Sequence, residues 1–108
     1  MKIVINTCFG GFGISKEAAE FMAKRGNARA KAELKDKGPF YGYGYVDGFE
    51  GQYERTDPDL IAAVESLGDK ANGSCAKLRI VEVLDGIDWE IDEYDGQESV
   101  NEKHRSWG

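Results

Sequence analysis

An apolar run, Ile3-Val4-Ile5, passes through Asn6-Thr7-Cys8 into Phe9-Gly10-Gly11-Phe12-Gly13, and a helix-forming stretch begins after Ser15. This order predicts a strand, a glycine loop and a helix N-terminus in direct succession. A strand that delivers a glycine-rich turn to a helix start presents backbone N–H groups and a positive dipole end to an anion. The competing reading is a tight strand-to-helix connection whose glycines only permit positive φ.

Ser15 is placed to cap a helix with Glu17 in its first turn and Ala18, Ala19, Phe21 and Met22 along one face. Gly26-Asn27 interrupts it. The next stretch, Ala28 to Lys37, is helix-prone, but Leu34 is its only large apolar residue, so it reads as an exposed helix or a frayed extension. From about 38 to 54 the composition changes: glycines alternate with Phe40, Tyr41, Tyr43, Tyr45, Phe49 and Tyr53. This segment reads as a loop or irregular hairpin and looks like an insertion.

Asp57-Pro58 is a helix start with an N-cap and a first-turn proline, and the helix predicted after it buries Leu60, Ile61, Val64 and Leu67 before Gly68. Asn72-Gly73 turns into a strand holding Leu78, Ile80, Val81 and Val83. After Asp85-Gly86, Ile87, Trp89 and Ile91 alternate with Asp88, Glu90 and Asp92. These two segments are expected to form an antiparallel hairpin, with Asp95-Gly96 leading to an amphipathic tail. The expected fold class is α+β, one small domain over residues 1–108. It should hold a mainly antiparallel sheet of three or four strands, the N-terminal strand, glycine loop and helix unit, and two or three helices in all.

Composition narrows the function classes. A net charge of −6 argues against a phosphate-backbone binder, so no nucleic acid is expected as a partner. Cys8 and Cys75 lack companions at metal-ligand spacing, so no metal and no cofactor are expected. The three-residue apolar run near the N-terminus is too short for a leader or a bilayer span, so the expected setting is the cytoplasm, with free thiols and no membrane partner.

Several segments together, namely Lys2 to Cys8 with Gly10-Gly11-Phe12, Arg55-x-Asp57-Pro58, Ala71-Asn72-Gly73, Trp89-Glu90-Ile91 with Glu93-Tyr94-Asp95-Gly96, and His104-Arg105-x-Trp107, carry a resemblance. The chain resembles a family of small phage and prophage proteins over nearly its whole length, apart from the Gly/Tyr segment. The resemblance implies an accessory role in the host cytoplasm. Small accessory phage proteins of this kind often antagonise host defence, and several unrelated ones sequester nucleotide messengers of bacterial immunity, so the extension to this chain is by analogy.

Specific chemistries are weighed residue by residue. The loop puts Lys16 after Ser15, which is not a Walker A order, and Lys16 stands where a dinucleotide fingerprint needs its third glycine. A cysteine phosphatase needs an arginine where Ile14 stands. Cys8 could pair with His104 as a nucleophile, or be a small buried hydrophobe at a strand end. His104, Arg105 and Trp107 suit a phosphate and a base, or form the basic end of a terminal helix. Arg55 reaches a ligand or pairs with Asp57 or Glu54. The acidic group from Asp85 to Glu98 reads as a solvated face, with Tyr94 available to line a pocket. The Gly/Tyr segment is a recognition surface or a surface insertion.

The leading expectation is a non-enzymatic binder that sequesters a nucleotide-type small molecule. Its contacting set is Asn6, Cys8, Phe9, Gly10, Gly11, Phe12, Arg55, Tyr94, His104, Arg105 and Trp107. The alternative is an acidic interaction module that inhibits a host protein through its hairpin and tyrosines. The third is a small hydrolase or transferase using Cys8 or His104. A homo-oligomer with sites at subunit boundaries is also compatible with so small a domain.

Overall fold

The computed structural model describes residues 1–36, 38 and 40–102. Four strands and three helices follow in the order β1 (Lys2–Asn6), α1 (Lys16–Lys24), α2 (Ala28–Lys35), α3 (Pro58–Leu67), β2 (Leu78–Glu82), β3 (Trp89–Tyr94) and β4 (Gln97–Glu102), with a 3-10 turn at Gly68–Ala71 after α3. The fold is α+β, and its strands form two antiparallel two-stranded sheets, β1-β2 and β3-β4, instead of one.

Local capping explains the helix starts. Ser15 Oγ accepts from Ala18 N at 3.1 Å, and Asp57 accepts from Asp59 N at 2.8 Å with Pro58 in the first turn. Asn27 caps α2, accepting from Ala30 N at 2.9 Å, and its amide also donates to Asp57 and Asp59. Helix α2 is therefore a built element that buries Ala30 and Glu33, not a frayed extension of α1. In α3, Leu60, Ala63 and Val64 are buried, while Ile61 and Leu67 are only half-buried.

The expected hairpin between Leu78–Val83 and Ile87–Ile91 does not form. Strand β2 pairs with β1, setting Ile3 opposite Val81 and Val4 opposite Ile80. Strand β3 pairs with β4, setting Ile91 opposite Val100 and Tyr94 opposite Gln97. The reason lies in the turn: Asp95 and Gly96 both take positive φ, 50° and 88°, as a tight two-residue hairpin requires. Within the segment read as an amphipathic tail, Gln97–Glu102 form the strand β4.

Strand β1 is buried on both faces, which is why its sequence is a continuous apolar run and not an alternation. Val4 faces the helices and packs with Phe12, Ile14, Met22, Tyr53 and Leu60. Ile3 and Ile5 face the other way, onto Val83 with half-buried Trp89, Ile91 and Val100. The molecule is a stack of helices, β1-β2 sheet and β3-β4 hairpin, with β1 as the shared layer.

The Gly/Tyr segment belongs to this core. Ile14 N donates to Gly42 O at 2.9 Å, Tyr53 N donates to Tyr43 O at 3.1 Å, and the Tyr53 ring is buried. Gly42 takes φ 79° with its Cα against the Ile14 backbone, where a side chain would collide.

Candidate binding site

The glycine loop is backed closely by its own chain, with Phe9 and Gly10 left at the surface. Gly10 lies against Cys75 so closely that a Cβ would overlap it, and Gly73 N donates to Gly13 O at 2.9 Å. On the other side, the Asp95-Gly96 turn seats on the loop: a Cβ on Gly96 would stand 2.5 Å from Gly11 N and 2.6 Å from Phe9 O. The space left among Gly10, Gly11, Gly13 and Cys75 is about 10 Å³, room for about one water molecule. The α1 start is likewise engaged, with Ser15 N donating to Ala71 O.

Around this loop sits a closed polar cluster. Asn6 is fully buried and uses both ends of its side chain: Nδ2 donates to Cys8 O and Gly96 O, at 2.6 and 2.7 Å, and Oδ1 accepts from Cys8 N and Lys77 N. Arg55 pairs with Glu98 and with neither Asp57 nor Glu54. Its Nη2 donates to Glu98 Oε2 at 2.8 Å and to Gln52 Oε1 at 2.8 Å, and its Nη1 also contacts Glu98 Oε1. The Glu98 carboxylate accepts from Asn6 N at 2.7 Å as well, so one inward-facing residue of β4 joins β1 to the segment before α3. The guanidinium lies 3.7 Å from the centre of the Phe12 ring, and Phe12 is buried. That ring carries an arginine of its own chain on its face.

Among the residues expected to touch a ligand, Arg55 stacks on Phe12, Asn6 and Arg55 share Glu98 as a partner, and Gly10 and Gly11 are approached by Cys75 and Gly96. Cys8 is exposed and not a buried hydrophobe, Phe9 is exposed, and Tyr94 is exposed beside the turn that seats on the loop. His104, Arg105 and Trp107 lie outside the described residues. Asp88, Glu90 and Asp92 are exposed, whereas Glu98, grouped with them from sequence, is half-buried with its side chain turned onto Arg55.

Open space occurs elsewhere, between the end of α2 and the tyrosines. One hollow of about 450 Å³ is lined by Glu33, Asp36, Gly38, Tyr41, Tyr43 and Tyr45. A second, of about 510 Å³, shares Asp36 and Tyr45 and adds Lys35, Asp47 and Phe49. Tyr41 and Tyr43 lie parallel with centroids 5.8 Å apart, and Tyr45 meets Tyr43 edge-on at 6.3 Å. All three rings are exposed to solvent.

Glu33 anchors this wall from beneath. It is buried, accepting from Tyr53 Oη at 2.7 Å and from Gly44 N at 2.8 Å. Burial, followed by the hydrogen bond to Glu33, pushes the Tyr53 phenol well above its ordinary pKa. Arg29 donates to the carbonyls of Glu50, Gly51 and Gln52, with its guanidinium 5.2 Å from the centre of the Phe49 ring that lines the second hollow. Sequence reasoning missed Glu33 and Glu98, because a carboxylate at an inward position breaks the apolar pattern that marks a buried face.

Among the described residues, no group of three or more His, Cys, Asp or Glu side chains is arranged to hold a metal ion, and no helix is long and apolar enough to cross a membrane. No family model, curated protein or solved structure matches the chain.

Proposed function

We propose that this protein is a non-catalytic binding module that captures another protein through Tyr41, Tyr43 and Tyr45. The observation that carries this reading is a contrast in availability. Three tyrosine rings converge at the surface beside open hollows of about 450 and 510 Å³, while the space beside the glycine loop is only about 10 Å³. Exposed tyrosines supply large, rigid contact area and are enriched in protein interfaces. In line with the resemblance to phage accessory proteins, the target is a host protein and the outcome is its inhibition.

The test is capture from bacterial lysate with tagged full-length protein, read by quantitative mass spectrometry. A specific host protein retained by the parent, lost with the Tyr41→Ser/Tyr45→Ser pair and kept by Phe9→Ser supports the reading. Retention that ignores the tyrosines overturns it.

A second reading keeps the nucleotide-type small molecule, moved to the same wall. Hollows of about 450 and 510 Å³ match small-ligand pockets, and an exposed tyrosine face stacks on any base. Calorimetry against cyclic dinucleotides, ADP-ribose derivatives and ordinary nucleotides, with each compound checked for integrity afterwards, separates sequestration from turnover. An altered compound would revive the enzyme reading that uses Cys8.

A further inference from the structure

We infer that the hollow lined by Tyr41, Tyr43, Tyr45, Asp36 and Glu33 takes an arginine side chain presented by a basic segment of the partner protein. This rests on the proposal that the tyrosine wall is the recognition surface. Three independent features converge on a planar cation.

The first is ring geometry. Tyr43 and Tyr45 meet edge-on at an interplanar angle of 66° and Tyr41 lies parallel to Tyr43, so the exposed rings lining the hollow are set in two orientations. Exposed tyrosine rings carry negative faces, which favours a cation over an anion. The second is charge. Among the described residues, the ionisable side chains lining this hollow besides the tyrosines are both carboxylates, Asp36 and Glu33. Glu33 is buried and receives its hydrogen bonds from neutral donors, the Tyr53 hydroxyl and the Gly44 amide, with no ion pair to a described residue. A buried carboxylate is stabilised by a nearby countercharge, and an arginine in the hollow supplies one. The neighbouring hollow differs, since it holds Lys35 beside Asp36 and Asp47 and is less selective for a cation.

The third is the kind of cation. This chain places guanidinium groups on aromatic rings twice, Arg55 on Phe12 and Arg29 on Phe49. A guanidinium is planar, weakly hydrated and able to stack while its edge hydrogen-bonds a carboxylate, whereas an ammonium keeps its water more strongly. A chain of net charge −6 attracts any basic segment from a distance, and the exposed rings then discriminate between arginine and lysine.

The experiment titrates the full-length protein, labelled in its tyrosine rings for NMR, with hexa-arginine, hexa-lysine and hexa-citrulline peptides and with adenosine monophosphate. The salt is held at about 150 mM, where the Debye length is about 8 Å and general attraction is damped. Hexa-arginine is expected to shift Tyr41, Tyr43 and Tyr45, to bind several-fold tighter than hexa-lysine, and to outcompete the uncharged citrulline peptide. Tyr43→Leu should weaken it by about two- to fivefold, as loss of one cation–π face implies. Because Tyr43 also touches Gly13, Tyr41→Leu and Asp36→Asn provide the same readout at exposed positions. Equal binding of the arginine and lysine peptides, unchanged in the tyrosine variants, overturns the inference in favour of non-specific attraction. Tyrosine shifts with the nucleotide alone overturn it while leaving the wall a binding site. No shift with any probe overturns it and counts against the wall as well.

Discussion

The glycine loop and the tyrosine segment are both glycine-rich, and they use glycine to opposite ends. In the loop, missing side chains let other backbone approach: Cys75 closes on Gly10 and the Gly96 turn closes on Gly11, and the hollow among Gly10, Gly11, Gly13 and Cys75 is about 10 Å³. In the tyrosine segment, Gly42 and Gly44 take positive φ and hold the backbone down on Ile14 and Tyr53, and the intervening tyrosines are left outside. The same residue type seals one region and displays side chains in the other. What a glycine-rich stretch does is decided by what lies between its glycines and by which backbone reaches it.

The largest test of this contrast is removal of Glu98. Arg55 and Glu98 are nearly buried, with side-chain exposures of 11% and 8%. Deleting one partner of a buried pair leaves the other uncompensated and typically costs about 3–5 kcal/mol. Glu98→Ala also takes the acceptor from Asn6 N. Urea denaturation should show a loss within that range. A loss under about 1 kcal/mol would mean that Arg55 is not held by this cluster and is available to a ligand, which would break the comparison.

A middle-sized effect is expected at the junction between the core and the tyrosine wall. Tyr53→Phe keeps the ring and removes the hydroxyl that donates to buried Glu33, a change worth about 1–3 kcal/mol. It also alters the alkaline limb of stability. The folded-state pKa of Tyr53 lies above its unfolded value of about 10, so the folded protein keeps a proton that the unfolded chain gives up. This contribution is complete below pH about 10 and declines as pH rises beyond it, by up to about 1.4 kcal/mol per pH unit. Stability curves of parent and Tyr53→Phe should therefore be parallel up to that pH and converge above it. Curves that stay parallel would place Tyr53 outside the buried cluster.

What sequence made legible, and what it hid, follows the range of the interactions. Ser15 and Asp57 announce α1 and α3 because a cap bonds within three residues of itself. The alternation from Ile87 to Asp92 gives the correct exposed face for the same local reason. Strand pairing was not legible. Asp85-Gly86 and Asp95-Gly96 carry the same turn signal, and the partner of β2 proves to be β1, more than 70 residues away, bonded through pairs such as Ile3 and Val81. Strand β4 was hidden because Glu98 occupies an inward position beside Val100, where its carboxylate is made acceptable by Arg55, 43 residues distant, and by the amide of Asn6, 92 residues distant. The candidate site suffered likewise. Glycine loop and Arg55 were recognised as chemically capable groups, but nothing local says that they meet each other and Glu98 within the fold.

The smallest expected effect on stability sharpens the comparison most, because it separates display from packing. Tyr41 is 62% exposed, carries its ring against Tyr43 alone among the aromatic pairs, and sits on backbone anchored by Gly42 O to Ile14 N. Truncating an exposed side chain away from buried polar groups ordinarily changes stability by no more than about 0.5 kcal/mol. Tyr41→Ser should therefore leave the urea midpoint nearly unchanged while it weakens partner capture. Deleting residues 41–53 would be a poor substitute, since it removes Tyr53 from the core and the Gly44 amide from Glu33, and any loss of binding would then follow from unfolding. If Tyr41→Ser instead destabilises the protein by as much as Tyr53→Phe, the ring is part of the fold's support and the tyrosine wall is a packed surface like the glycine loop. Unchanged stability with lost capture leaves the two regions distinct, one holding the chain together and one facing the partner.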